Sequence, residues 1–228
     1  MLRAEATRPP ISRPEFDDAR AGERARLVRE KISGRGASDD AVLGAMRAVP
    51  RHEFVPPANR DRAYANRPLP IGHGQTISQP EVVAYMTGKL ALEPGDKVLE
   101  VGTGSGYQAA ILAQLVRHVV TIEIIEPLAR SAARRLDRLG YRNVSVFHGD
   151  GYYGLEAQAP FDAIIVTAAA GHVPPPLIDQ LKPDGRMIIP VGRSGWTQNL
   201  LLVERSAGGD VRTRNLMAVR FVPLTGDH

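Results

Sequence analysis

Apolar positions follow two different rules along this chain. From Ser38 to Val49 they recur at helical spacing, with Val42, Ala45, Met46 and Val49 on one face, and the run from Phe16 to Lys31 before it reads as a charged helix. Asp17 and Asp18 suit the positive end of the first helix, Ser38 is placed to cap the second, and Pro50 stops it. Residues 50–80 are rich in Pro, Gly, Asn and Gln and keep no period, and an irregular stretch of that length is more often functional than filler. A third helix is predicted over Pro80–Leu92, where Val82, Val83, Met86 and Leu90 align before Pro94-Gly95.

From Lys97 onward the chain alternates. Strand-like runs at 97–102, 118–124, 144–150, 161–169 and 186–192 are separated by helical stretches at 107–116 and 127–140, a loop, and a short helix at 176–181. Strands apolar on both faces and joined by helices pair in parallel under two helical layers. The last runs, 197–206 and 211–224, are joined by Ala207-Gly208-Gly209-Asp210 and read as an antiparallel hairpin. The predicted fold is α/β: a doubly wound, mostly parallel, Rossmann-like sheet with N-terminal helices and a C-terminal antiparallel hairpin. Residues 1–15, with Pro9, Pro10 and Pro14, read as a disordered tail, 16–95 as helices and a covering loop, and 96–228 as the ligand-binding core.

Composition narrows the chemistry. The absence of cysteine among 228 residues excludes disulfides, thiolate metal sites and cysteine nucleophiles. The six histidines show no paired-ligand spacing, so no metal is expected. Residues 36–200 carry 16 cations and 16 anions, so charge alone gives no basic face for nucleic acid. No run is long and apolar enough for a membrane span, and MLRAEATRPP lacks the apolar stretch of a secretory signal, which makes the cytoplasm the expected compartment.

The sharpest signal is VLEVGTGSG. Gly102, Gly104 and Gly106 fall at the carboxyl end of the first parallel strand, where open sheets of this kind bind ligands. Tyr107 stands where a dinucleotide fingerprint carries its third glycine, and Glu100 lies two residues before the first. A carboxylate there repels a pyrophosphate and attracts an ammonium or sulfonium, which favours S-adenosylmethionine over NAD. Glu123, ending the second strand, is placed for ribose hydroxyls, and Asp150, ending the third, for a nucleobase edge.

EVGTGSGYQAAILA resembles the cofactor loop of class I methyltransferases. With PIGHGQTISQP (70–80), HGDG (148–151), PFDAIIVTAA (160–169), QLKPDGRMIIPVG (180–192) and RFVPL (220–224), the chain from about Asp39 to Leu224 resembles the protein-L-isoaspartate O-methyltransferase family. His73 stands where members often carry Gln, and residues 1–35 lie outside the likeness. The resemblance implies that Gln75, Thr76, Ile77 and Ser78 cover cofactor and substrate, with Ser78 the active-site serine and Thr76 beside it. It implies that Glu100, Gly102, Thr103, Gly104 and Ser105 hold the methionine end, Glu123 and Ile124 the ribose, and Asp150 and Gly151 the adenine. The implied partners are S-adenosylmethionine and L-isoaspartyl proteins or peptides, with the chain acting as a monomer away from nucleic acid and membranes.

Competing readings stay open at this level. QTIS also reads as a polar loop whose Ser78 caps the Pro80 helix. A methyltransferase with another acid as acceptor, or a binding module without catalysis, fits the glycine loop alone. Thr167-Ala168-Ala169-Ala170 stands where amino-group methyltransferases of nucleic acids tend to carry an Asn/Asp-Pro-Pro-aromatic motif, which argues against those substrates. Arg220 is a candidate clamp for a substrate carboxylate, and Tyr64 and Trp196 are candidate stacking residues.

Overall fold

The computed structural model describes residues 19–34, 39–193 and 195–226. The expected tail at 1–15, the start of the first helix with Asp17 and Asp18, and the Ser38 cap lie outside them. Helix α1 (Ala21–Leu27) runs into a π turn at Val28–Ile32, and α2 spans Asp40–Ala48. The cap of α2 is Asp39, whose Oδ1 accepts the Val42 N–H at 2.7 Å. That single bond satisfies one of the orphan amides of the first turn.

The stretch expected to be irregular holds two short 3₁₀ turns, Arg51–Phe54 and Pro57–Arg62, and a hairpin of β1 (Leu69–Gly72) and β2 (Gln75–Ile77). Its strands are too short for periodicity to declare them. Gly72, His73 and Gly74 turn the hairpin with positive φ at all three residues.

After α3 (Pro80–Lys89) the alternation follows as β3 (Lys97–Val101), α4 (Tyr107–Ala113), β4 (His118–Glu123), α5 (Glu126–Arg138), β5 (Val144–His148), β6 (Phe161–Val166), α6 (Pro175–Asp179), β7 (Leu181–Val191), β8 (Gln198–Arg205) and β9 (Val211–Val219). The strand order β5-β4-β3-β6-β7-β8-β9 is parallel through β7 and antiparallel beyond it, the predicted class of fold. The chain leaves β3 towards β4 and β5, then returns to its other side as β6. The crevice between the carboxyl ends of β3 and β6 is therefore the switch point at which such sheets take ligands.

Several elements end short of expectation, among them α4 at Ala113 rather than 116 and β6 at Val166 rather than 169, and two strand boundaries in the C-terminal half differ more widely. Strand β7 begins at Leu181 rather than 186, because Leu181 already pairs with Phe161 of β6 and Lys182–Gly185 form an irregularity before Arg186 pairs with Ala163. Strand β9 ends at Val219 rather than 224. The next residues leave the sheet and bond to the segment after β6, Ala169 N–H to Val222 carbonyl at 2.7 Å and Leu224 N–H to Ala169 carbonyl at 2.8 Å.

Val98 packs on one face with α4 and the N-terminal helices, while Leu99 and Val101 join the second core with Leu177 of α6. Buried Arg24 of α1 donates to the Arg47 carbonyl and, at 3.3 Å, to the Tyr64 hydroxyl. Fully buried Arg51 donates to the Ala63 carbonyl at 2.9 Å and lies 4.8 Å from the ring centre of Tyr107, the first residue of α4. The N-terminal segment thus leans on the helix that follows the glycine loop.

Candidate active site

Beyond Val101 the chain turns through Gly102, Gly104 and Gly106, at φ of 96°, 52° and 86°, into α4. The turn is pinned from β4: Gly102 N–H donates to the Ile122 carbonyl at 2.8 Å, and Gly104 N–H to Glu123 Oε2 at 2.7 Å. The other oxygen of Glu123 accepts the Ile125 N–H at 2.9 Å. Its carboxylate is thereby fixed, nearly buried, in the wall of the cleft.

Glu100 points from β3 beneath the start of α4 and is 0% exposed. Its Oε2 accepts the Thr121 hydroxyl at 2.6 Å, and the Thr103 and Thr121 hydroxyls lie 2.7 Å apart. Its Oε1 has no hydrogen-bond partner among the described residues. Burial pushes this carboxyl up to about 8; the Thr121 hydrogen bond opposes the rise, Glu123 reinforces it, and the Ala109 amide also opposes it. None of the groups acting on it is a cation. An orphaned carboxyl oxygen on the wall of a small pocket suits an ammonium group, as the methionine end of S-adenosylmethionine would supply.

Three cavities meet here. Gln75, Thr76, Gly102, Gly104, Glu123, Ile124 and Gly151 line a cleft at the sheet end. Thr76, Ile77, Ser78, Glu100, Thr103 and Ser105 line a smaller pocket against the glycine loop. Asp150 is the one expected cofactor residue outside both linings. Its Oδ1 accepts the Tyr152 N–H at 2.9 Å, capping the turn Gly151–Tyr153, and Gly151 takes the wall position instead. A Cβ on Gly151 would stand 2.4 Å from Val101 Cγ1, so the wall is glycine for want of room.

The third cavity is an open groove of about 540 Å³ bordered by Thr76, Ser78, Glu81, Tyr85, Arg220 and Phe221, among others. Ser78 is half-buried, and its hydroxyl makes no hydrogen bond to any described residue. It does not cap α3, whose N-cap is Gln79 and which has no side-chain cap bond. The hydroxyl is left facing the groove and the small pocket. Arg220 is exposed on the groove wall.

Sequence reading missed Thr167, Ile125 and the wall formed by Val222–Thr225. Thr167 follows β6 at the switch point and, like Thr76, borders all three cavities. Its position after the fourth parallel strand was the available signal. At the C-terminal wall the signal was RFVPL (220–224), which carried the family likeness but no place in the site, because those residues read as a continuation of β9.

The model of the protein-L-isoaspartate(D-aspartate) O-methyltransferase family matches residues 22–228. A protein-L-isoaspartate O-methyltransferase 1 of Cupriavidus necator is 60% identical over 228 aligned residues, covering 96% of this chain and 88% of the relative. A protein-L-isoaspartate O-methyltransferase 2 of Syntrophobacter fumaroxidans is 59% identical, covering 93% and 90%. Among solved structures, a protein-L-isoaspartate O-methyltransferase matches with TM-score 0.80 and 29% identity over 91% of this chain and 66% of its own. One from Plasmodium falciparum, in complex with S-adenosyl-L-homocysteine, matches with TM-score 0.76 and 28% identity over 89% and 98%.

Proposed function

The chain belongs to the protein-L-isoaspartate(D-aspartate) O-methyltransferase family, and from that membership we propose how its residues divide the work. The protein transfers a methyl group from S-adenosylmethionine to the free α-carboxylate of L-isoaspartyl residues in damaged proteins and peptides, which initiates their repair. The observation that carries the assignment of roles is the meeting of the cleft, the small pocket and the groove at Thr76 and Thr167. A donor held in the first two reaches an acceptor lying in the third.

When bound, S-adenosylmethionine supplies an electrophilic methyl on sulfur, and the sulfur keeps the bonding pair when the carboxylate oxygen takes that methyl. An α-carboxylate with a pKa near ~3.5 is already ionised at pH 7, so the protein needs no general base. Its task is alignment and exclusion of water, worth up to about 7–11 kcal/mol for well-oriented reactants.

In this reading Glu100, Gly102, Thr103, Gly104 and Ser105 hold the methionine end of the cofactor. Glu123 and Ile124 hold the ribose, while Gly151, set by the Asp150 cap, shapes the adenine end. Gln75 and Ile77 cover the cofactor. Ser78 and Thr76 present hydroxyl donors to the acceptor carboxylate, and Arg220 draws that anion into the groove. Residues 16–95 act as the cover and 96–228 as the cofactor-binding core. The enzyme works as a cytoplasmic monomer away from nucleic acid and membranes; residues 36–200 carry balanced charge, and no helix among the described residues is long and apolar enough to cross a membrane.

The test pairs two synthetic peptides, one isoaspartyl and one aspartyl, with labelled S-adenosylmethionine. Base-labile label on the isoaspartyl peptide alone is expected. Label on both peptides points to another acceptor, and label on neither, with cofactor bound, to a binding module.

A further inference from the structure

The Thr167 hydroxyl makes two contacts, both to backbone carbonyls at the end of β3: Gly102 O at 2.6 Å and Val101 O at 3.1 Å. A hydroxyl has one proton and two lone pairs, so this proton is spent on the carbonyls. No described N–H or O–H donates to the oxygen in return. Its lone pairs are left without a protein partner at the place where the three cavities meet. The same oxygen would stand 2.5 Å from a Cβ on Gly102, so it lies beside the bare α-carbon of the cofactor loop.

Thr76 and Ser78, which border the same junction, have hydroxyl protons to give. Thr167 has only an acceptor to offer. An acceptor repels a carboxylate, so the partner of Thr167 comes from the cofactor side of the junction. The group there that is both electron-poor and shared between donor and acceptor sites is the methyl on sulfonium, whose C–H bonds are polarised by the adjacent positive charge.

We propose that Thr167 is a cofactor-contacting residue whose hydroxyl oxygen, held by the Gly102 carbonyl, receives the sulfonium methyl of S-adenosylmethionine and so separates the methyl donor from the demethylated product. The proposal rests on the reading of the cleft and small pocket as the cofactor site. The tie to Gly102 alone would act on both ligands alike, because both fill the same loop. A contact to the ammonium would also act on both, since both carry it. Only a contact to the methyl distinguishes them.

The test is calorimetric titration of the full chain with S-adenosylmethionine and with S-adenosylhomocysteine, in the wild type, Thr167→Val and Thr167→Ser. Valine keeps the shape and removes the oxygen; serine keeps the oxygen. The Val variant is expected to weaken S-adenosylmethionine binding by about three- to tenfold, the range for a weak hydrogen bond strengthened by charge, and S-adenosylhomocysteine by less than about twofold, within the context scatter of a lost neighbouring contact. The Ser variant should keep the wild-type ratio of the two affinities. Equal weakening of both ligands by Thr167→Val, or no change in either, overturns the proposal. If Thr167→Val does not fold, Thr167→Ala is read against Thr167→Ser by the same ratio. Failure of the wild type to bind either ligand overturns the cofactor reading itself, which is a different result from a ratio that stays constant.

Discussion

Glu123 at the end of β4 holds Gly104, in the loop after β3, through a 2.7 Å bond from the Gly104 amide. The carboxylate that faces the cofactor cleft also builds the loop that would hold the cofactor. Glu123→Ala is therefore expected to weaken S-adenosylmethionine binding by about 1.5–3 kcal/mol, the range for hydrogen bonds to a charged group. Calorimetry on the folded variant reads this, and unchanged affinity removes Glu123 from the site. NAD should show no binding in the same titration run above pH 8, where the Glu100 carboxyl in the pocket beneath the loop is ionised and repels a pyrophosphate.

Glu100 supplies a pH dependence. Its carboxyl ionises near 4.5 in the unfolded chain and near 8 in the folded one, chiefly because folding buries it. Between those values the native state holds more of the proton than the unfolded state, so this group makes stability fall as pH rises through the interval. Urea melts from pH 5 to 8 should show that slope in the wild type without cofactor. In Glu100→Gln the Glu100 part of the slope should vanish. A slope identical in both proteins would mean that Glu100 is already ionised in the native state.

The parallel core was legible because both of its signals are local and repeated. Apolar strands such as Val98–Val101 alternate with helices, and three glycines cluster at the turn after β3, each at positive φ. The β1–β2 hairpin was not legible: its paired residues number three on each strand, and no burial pattern builds up over that length. Asp39 caps α2, one residue beyond the capping candidate the sequence offers. The sequence pointed to Glu100 and Glu123 in the glycine-loop wall, but not to Thr167 or the C-terminal wall. Those meet the loop only through long-range pairing, as in the Ala169–Pro223 bridge. Ser78 stood as either cap or site residue until the N-cap of α3 proved to be Gln79.

Gly151→Ala tests the adenine end of the cleft. The added methyl would meet Val101 Cγ1 at 2.4 Å, inside the packed end of β3. Overpacking of this kind costs about 1–3 kcal/mol of stability. A lower melting temperature with weaker S-adenosylmethionine binding is expected. A variant with wild-type melting and affinity would show that the wall yields freely.

The N-terminal segment divides at α1. Deleting residues 1–14 should leave turnover within about twofold, since chain termini tolerate removal unless tied down. Arg24→Ala is the contrasting change, because it strips the Arg47 carbonyl of its buried donor and the Tyr64 hydroxyl of a partner. A loss of about 1–3 kcal/mol is expected, the penalty for leaving such groups unmatched. Chemical melts on both variants read the difference, and a tail deletion that abolishes turnover in a folded protein would give residues 1–14 a part in the reaction.

Ser78 gives the most direct test of the acceptor site. Its hydroxyl has no described protein partner, caps no helix and borders both the groove and the pocket beside Glu100. Removing it should therefore cost little stability, within about 0.5 kcal/mol. If it orients the acceptor carboxylate, its loss raises the barrier by about 2.7–4 kcal/mol, a ~100–1000-fold fall in turnover, as for one positioned donor in a water-poor site. Single-turnover assays, calorimetry and melts on one preparation of Ser78→Ala separate the possibilities. Turnover should collapse while cofactor affinity and melting temperature hold. Full turnover in the alanine variant would exclude the hydroxyl from the reaction and leave Thr76 as the remaining donor at the junction. Ser78→Thr keeps the oxygen and adds a methyl, so partial activity there identifies the hydroxyl itself as the group that matters. Loss in both variants instead implicates the space around the side chain, which Tyr85 and Phe221 bound from the groove side.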